Sequence, residues 1–180
     1  GDMIPHQIFI TQTMNWTLTA SILLISQFSL AQSELAKRNG FKDIKLGMEV
    51  DNVKGAVFKK DMLAHKEFPA KVYEVDHPDY AKVGSVSVKR VELKTYKGLI
   101  YEIIVHTDKD PQIMRGLEKT YGKATYSVRM ETYYWTAPDT LSLIFKGHNK
   151  HLALTYRSVP VIQLMYADKG RKTEEVAEDF

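Results

Sequence analysis

The chain has 180 residues, 44% of them hydrophobic and 26% charged, the balance of an ordinary globular domain with room for appendages. Twenty-five Lys and Arg stand against 22 Asp and Glu, for a formal net charge of +3. The basic residues are scattered among acids and follow no helix face or groove, so nucleic-acid binding has no support. The lack of any Cys excludes disulfides, thiolate catalysis, Cys-ligated zinc and an acylated lipoprotein cysteine.

Gly1-Asp2 precede Met3 as a cloning remnant or a start-site artefact. From Met3 to Ala31 there is no Lys, Arg, Asp or Glu, and the densest apolar run is Ile22-Leu23-Leu24-Ile25. Ser29 and Ala31 supply small residues at the third-last and last positions before a cut. Residues 1–31 therefore read as a secretory signal peptide, although no basic residue opens it. The alternative is an N-terminal helix or strand that packs as part of the fold. Ser26 and Gln27 break the apolar run well short of the about 20 residues that a membrane helix needs. No stable transmembrane span is expected, and the location implied is periplasmic or secreted.

Residues 32–166 are expected to form a single α+β domain, and residues 167–180 a charged tail, frayed or partly helical. Ser33–Asn39 suggests a short helix, and Phe41–Leu46 alternates like a short strand or an extended arm. Val50, Val53, Ala56 and Val57 fall at helical spacing, with Glu49 and Asp51 suited to a helix start. They predict a helix ending between Lys60 and His65. Lys71–Val75 reads as a strand, followed by a turn at Asp76-His77-Pro78-Asp79. Val86 and Val88 have even parity but Val91 and Leu93 odd, so a continuous strand needs a bulge near Lys89-Arg90.

Val91–His106 reads as a β-hairpin around which the rest is organised. Val91, Leu93, Leu99, Tyr101, Ile103 and Val105 share one parity and predict an apolar face. A two-residue loop at Lys97-Gly98 would set Leu93 opposite Glu102. A three-residue loop, Tyr96-Lys97-Gly98, pairs Leu93 with Tyr101 and places Gly98 where a left-handed residue is wanted. The other face then carries Arg90, Glu92, Lys94, Ile100, Glu102, Ile104 and His106, with Glu92 opposite Glu102. It is either a solvated outer face or a contact surface built on Ile100 and Ile104.

Asp110 is a credible N-cap, Pro111 a first helical residue and Gly122 a left-handed stop. Between them Ile113, Leu117 and Tyr121 form an apolar stripe, widened by Met114. Strands are predicted at Met130–Thr136, Leu141–Lys146 and Leu152–Tyr156, with a last one at Val161–Tyr166. The fold class expected is α+β, an antiparallel sheet with helices packed on one face, in the order helix, strands, helix, strands.

Ile44-Lys45-Leu46-Gly47-Met48 with Val53, Leu117-Glu118-Lys119-Thr120-Tyr121-Gly122-Lys123, and Trp135 before the closing strands resemble three stretches of one family. It is that of small exported domains of the SmpA/OmlA outer-membrane-assembly lipoprotein type, with a β-lactamase-inhibitor-protein-like fold. The resemblance implies a helix-plus-sheet fold and a protein-binding role, and transfers no partner or functional residue. Glu49 stands where a capping Ser or Thr is usual, and both the lipoprotein cysteine and the inhibitors' disulfides are missing.

His148 and His151 could approach a metal, but zinc needs three or four ligands and no third is evident. Asp76, His77 and Asp79 offer titratable groups without a visible substrate site. Glu102 and His106 lie about 13 Å apart by strand rise, too far for a direct acid–base pair. No phosphate loop, nucleophile elbow or HExxH occurs. Of Tyr133-Tyr134-Trp135, Tyr134 can face outward as a binding anchor. The candidate binding residues are thus Ile100, Glu102, Ile104, His106 and Tyr134, with no catalytic residue, metal or cofactor assigned. The function expected is a non-enzymatic exported module that binds a protein or other partner in the bacterial envelope. The alternatives are a small-ligand-binding protein or enzyme with a pocket between helices and sheet, and a structural subunit of an envelope complex.

Overall fold

Leu93, Ile103, Val105 and Leu143 are wholly buried, and their positions follow from one wide antiparallel sheet. The computed structural model describes residues 30–32 and 34–180, so the signal-peptide reading of residues 1–31 falls almost wholly outside the described residues. Helix α1 comprises residues 30–32 and 34–38. A small hairpin follows, β1 (Gly40–Phe41) with β2 (Ile44–Lys45). The sheet is built from β3 (Ala56–Ala64), β4 (Phe68–Val75), β5 (Lys82–Val83), β6 (Val86–Tyr96) and β7 (Leu99–Thr107). After α2 (Pro111–Tyr121) come β8 (Thr125–Ser127), β9 (Thr132–Ala137), β10 (Leu141–Gly147) and β11 (Leu152–Ser158). Helix α3 (Val159–Glu178) closes the chain. The nine-stranded sheet runs β3-β4-β6-β7-β11-β10-β9-β8, with β5 paired to β6.

The β6–β7 hairpin corrects the loop expectation. Its loop is Lys97-Gly98, both left-handed with φ 50° and 82°, as a type I′ turn demands. Tyr96 pairs with Leu99 and Thr95 with Ile100, but Lys94 pairs with Glu102. Tyr101 is therefore the extra residue of a bulge. That one residue resets the parity, so that Leu93 faces Ile103 and Val91 faces Val105. Glu92 lies opposite Ile104, not Glu102. A second register shift between Val88 and Arg90 stands where the parity change required it.

The sheet is covered on both faces, which overturns the expected one-sided arrangement. Leu35 of α1 and Ile113 and Tyr121 of α2 join the main core with Leu93, Ile103 and Tyr156. Val161 and Met165 of α3 join a second core with Phe68, Ala70, Tyr96 and Tyr101 on the opposite face. The expected order of helix, strands, helix, strands fails as well. Strand dominates, and the predicted helix from Val50 is only a short 3-10 turn, Val50–Asn52, running into β3. Val50 N–H donates to Gly98 O at 2.9 Å, so Val50 is buried against the hairpin turn rather than along a helix. Gly55 (φ +74°) sits so close to Asp76 that a Cβ would stand 2.2 Å from its carbonyl oxygen.

Val161–Tyr166 belongs to α3 and is not a strand. Pro160 sits in the first turn, and Ser158 Oγ accepts from Val161 N–H at 3.2 Å. Val161, Met165 and Asp168 are its buried residues, spaced i, i+4, i+7 as one helix face requires. The charged stretch after residue 167 continues this helix to Glu178. Helix α2 follows its sequence signals: Asp110 Oδ1 accepts from Gln112 N–H at 2.8 Å, and Gly122 has φ 78°. Asp110→Ala should cost about 1 kcal/mol. It would be read as a lower urea midpoint with an unchanged slope; an unmoved midpoint would remove the cap from the stability of α2. No helix among the described residues is long and apolar enough to cross a membrane.

Candidate functional site: an open sheet face

Strand alternation places one row of side chains across the sheet on the face away from α1 and α2. On the first strands the row is Val57, Glu74, Glu92 and Ile104. It continues as Thr155, Ile144, Tyr134 and Thr125. Helix α3 packs on this face only around Phe68, Tyr96 and Tyr101. Ile104, Thr155, Ile144 and Tyr134 stay partly exposed.

Two of the five expected site residues, Ile104 and Tyr134, are thus brought into one row, three strand spacings or about 14 Å apart. Glu102 and His106 flank Ile104 on the same face of β7. Ile100 is not on it. The Tyr101 bulge turns Ile100 into the main core, where it is 0% exposed. Its N–H donates to Met48 O at 2.9 Å, and its carbonyl accepts from Gly47 N–H at 2.8 Å. Ile144 was missed, although Leu141, Leu143 and Phe145 as core positions require Ser142 and Ile144 to face the other way.

Glu102 is buried rather than solvated. Lys94 Nζ donates to Oε1 at 2.7 Å and Arg157 Nε to Oε2 at 2.8 Å. The three side chains are register partners on β6, β7 and β11. Burial pushes the Glu102 carboxyl up, but the hydrogen bonds and charges of Lys94 and Arg157 prevail and hold it below its ordinary value. A carboxylate so engaged is poorly placed to take a proton from a substrate.

His106, on the other side of Ile104, belongs to a histidine cluster. Its ring centroid lies 5.1 Å from that of His151, which stacks on His148 at 4.6 Å and 15°. Arg90 Nη2 lies 3.3 Å from His106 Nε2. A guanidinium only donates, so Nε2 accepts and the ring proton is assigned to Nδ1. Burial pushes His106 down to about 4, with Arg90, His151 and His148 adding to the shift. The cluster supplies the third imidazole that was not evident in the sequence. Still, among the described residues no group of three His, Cys, Asp or Glu is arranged to hold a metal ion.

The Asp76–Asp79 stretch is a structural turn. Asp79 N–H donates to His77 Nδ1 at 3.2 Å, and Lys54 Nζ reaches Asp79 Oδ2 at 2.5 Å. A buried polar node that sequence reading missed joins α3 to the β6–β7 loop. Asp168 accepts from Tyr96 Oη at 2.9 Å, pairs with Lys97 Nζ at 2.5 Å and contacts Arg171. The hydrogen bonds from Lys97 and Tyr96 hold its carboxyl below the usual range. Only the tertiary fold brings residues 96 and 168 together, so no local pattern could reveal the node. No family model, curated protein or solved structure matches the chain, and its functional reading rests on this sheet face.

Proposed function

We propose that the chain is an exported, non-enzymatic module that binds a protein partner through the open sheet face around Ile104, Ile144 and Tyr134. The observation that carries this reading is their position in one row, partly exposed, on strands held in register from both sides. A rigid apolar strip with an aromatic residue is the kind of surface from which interface anchors are drawn. The ion pairs of Glu102 beside it satisfy their own charges, so docking there strands no buried ion. The uncharged, apolar stretch before Ala31 supports export into the periplasm or medium, and the resemblance to exported assembly domains supports a protein partner.

The test is site-specific photo-crosslinking in the native cell. Probes at Ile104 and Ile144 should give the same adduct, which Tyr134→Glu abolishes, while a probe at exposed Glu118 on α2 gives none. Equal labelling from all three positions, or none from the sheet positions, would sink the proposed face. For export, the N-terminus of the mature protein should begin after Ala31; a chain still starting at Met3 would defeat it.

A further inference from the structure

The main core leaves space between α2, the β1–β2 hairpin and the β5–β6 turn. A cavity of about 720 Å³ lies there, within the usual range for small-ligand sites, about 300–1,000 Å³. Its wall includes Phe41, Val86, Ile113, Leu117 and Leu154. The charged residues lining it are Arg38, Lys42 and Lys45, without an acid among them. Lys42 donates to Asp79 O at 2.5 Å, and Lys45 to Arg38 O and Lys42 O at 2.7 and 2.6 Å. These partners are backbone carbonyls, which leave the positive charges unneutralised. Arg38 donates its Nε to Glu34 at 2.7 Å.

Two phenols complete the site. Tyr121 and Tyr156 are 8% and 4% exposed, and both line the cavity. No hydrogen bond joins either hydroxyl to another described residue, and the sealed side-chain polar atom left unpartnered among the described residues is Thr95 Oγ1, not a phenol. By contrast, the buried hydroxyls of Tyr80 and Tyr96 are bonded to Asp43 and Asp168. Each phenol is a donor that an acceptor in the cavity could engage. Burial raises both phenols, and Arg38 pulls each partway back. Both are therefore protonated donors under the influence of one guanidinium.

Gly116 of α2 also lines the cavity. Glycine is disfavoured in a helix interior, and a Cβ there would meet nothing within 4 Å. The protein's own packing therefore does not require it. A second cavity of about 280 Å³, beside Leu35 and Trp135, shares Tyr121 but is lined by neither Tyr156 nor Arg38, and its indole N–H already bonds Gly122 O at 2.8 Å.

We propose that the larger cavity binds an amphiphilic monoanion, a carboxylate with an aliphatic tail. Its head accepts from Tyr121, Tyr156 and Arg38, and its tail lies against Phe41, Ile113 and Leu117. Two neutral phenols and a guanidinium already shared with Glu34 suit a single negative charge spread over two oxygens. This site is separate from the sheet face, and its test does not depend on a protein partner.

The experiment is calorimetric titration of the full chain with decanoate near pH 7.5. Saturable one-to-one binding is expected, with decanol and acetate each at least tenfold weaker. Tyr156→Phe should weaken decanoate about tenfold and leave decanol unchanged. Its thermal midpoint should stay close to the parent's, because the hydroxyl removed bonds no other described residue. Gly116→Leu, at the cavity wall, should weaken decanoate at least tenfold with the circular dichroism spectrum intact. Absence of saturable heat, decanol as tight as decanoate, decyl phosphate tighter than decanoate, or a Tyr156→Phe protein that binds like the parent would each overturn the proposal.

Discussion

Glu102→Ala should destabilise the fold by about 3 kcal/mol, measured as the loss in urea unfolding free energy near pH 7. Glu102 is 5% exposed on a central strand, and each carboxylate oxygen holds one cation. Removing it leaves Lys94 and Arg157 facing each other across a hole. Breaking a buried ion pair from one side costs about 3–5 kcal/mol. The side chains of Lys94 and Arg157 are 23% and 41% exposed, so both can turn toward water, which sets the loss at the low end. The cost belongs to stranded charge and not to the worth of the triad. Combining Lys94→Met, Glu102→Leu and Arg157→Met should therefore return to within about 1 kcal/mol of the parent. A triple variant as unstable as the single one would locate the loss in packing instead.

The same residue fixes part of the acid response. Its folded carboxyl lies below the ordinary value of 4.5. The unfolded chain therefore takes up the proton first as pH falls. The contribution of Glu102 is complete above 4.5 and is lost as pH drops through the lower folded value. Glu102→Ala should have a shallower acid limb in that range.

Glu102 also shows where sequence reading succeeds and where it stops. Alternation identified both strands of the hairpin and the apolar set Val91, Leu93, Ile103 and Val105. Uninterrupted pairing from a two-residue loop would set Leu93 against Glu102. The chain takes that loop and inserts Tyr101 as a bulge, which sends Ile100 to the core and Glu102 to Lys94. A bulge in one strand and a longer loop solve the same parity conflict, so hydrophobic pattern alone does not choose between them. At Lys89-Arg90 the conflict lay inside a single strand, so a bulge was the only remedy and could be placed correctly.

The misread helices have a similar origin. Val50, Val53, Ala56 and Val57 are spaced like a helix face, but Gly47 and Gly55 bracket a stretch whose burial comes from the neighbouring hairpin turn. Ser158 and Pro160 were the cap and first-turn signals of α3, and the i, i+4, i+7 set Val161, Met165 and Asp168 was present. The set passed unnoticed because its third member is charged. Asp168 is buried only because Tyr96 and Lys97, far away in sequence, supply its partners. The open sheet face was legible in part: Ile104 and Tyr134 follow from parity, whereas their common row depends on a strand order that no local signal encodes.

Between pH 6.5 and about 4, acidification should cost the parent protein about 2 kcal/mol through His106, and His106→Leu should remove that loss. The imidazole titrates near 6.5 when unfolded and is pushed down to about 4 in the fold. Burial is the main cause, and three partners add to it. Arg90 on β6 donates to Nε2, an arrangement that becomes repulsive once Nε2 carries a proton. The rings of His151 and His148, beyond the end of β10, crowd the same space. Lys89 and Lys109 add positive charge around His151, and Asp108 is already engaged by Lys89 at 2.8 Å. The unfolded state binds more protons across this window, so stability is complete above pH 6.5 and falls toward pH 4. The full gap corresponds to about 3 kcal/mol; water at the partly exposed ring screens some of it, leaving about 2 kcal/mol. Urea midpoints at pH 7, 6 and 5 decide the matter, because Glu102 responds only below 4.5 and the two windows separate. The parent should lose stability stepwise and His106→Leu should stay nearly flat. Equal slopes in the two proteins would mean that His148, His151 or a residue elsewhere carries the titration, and that Arg90 does not hold His106 neutral.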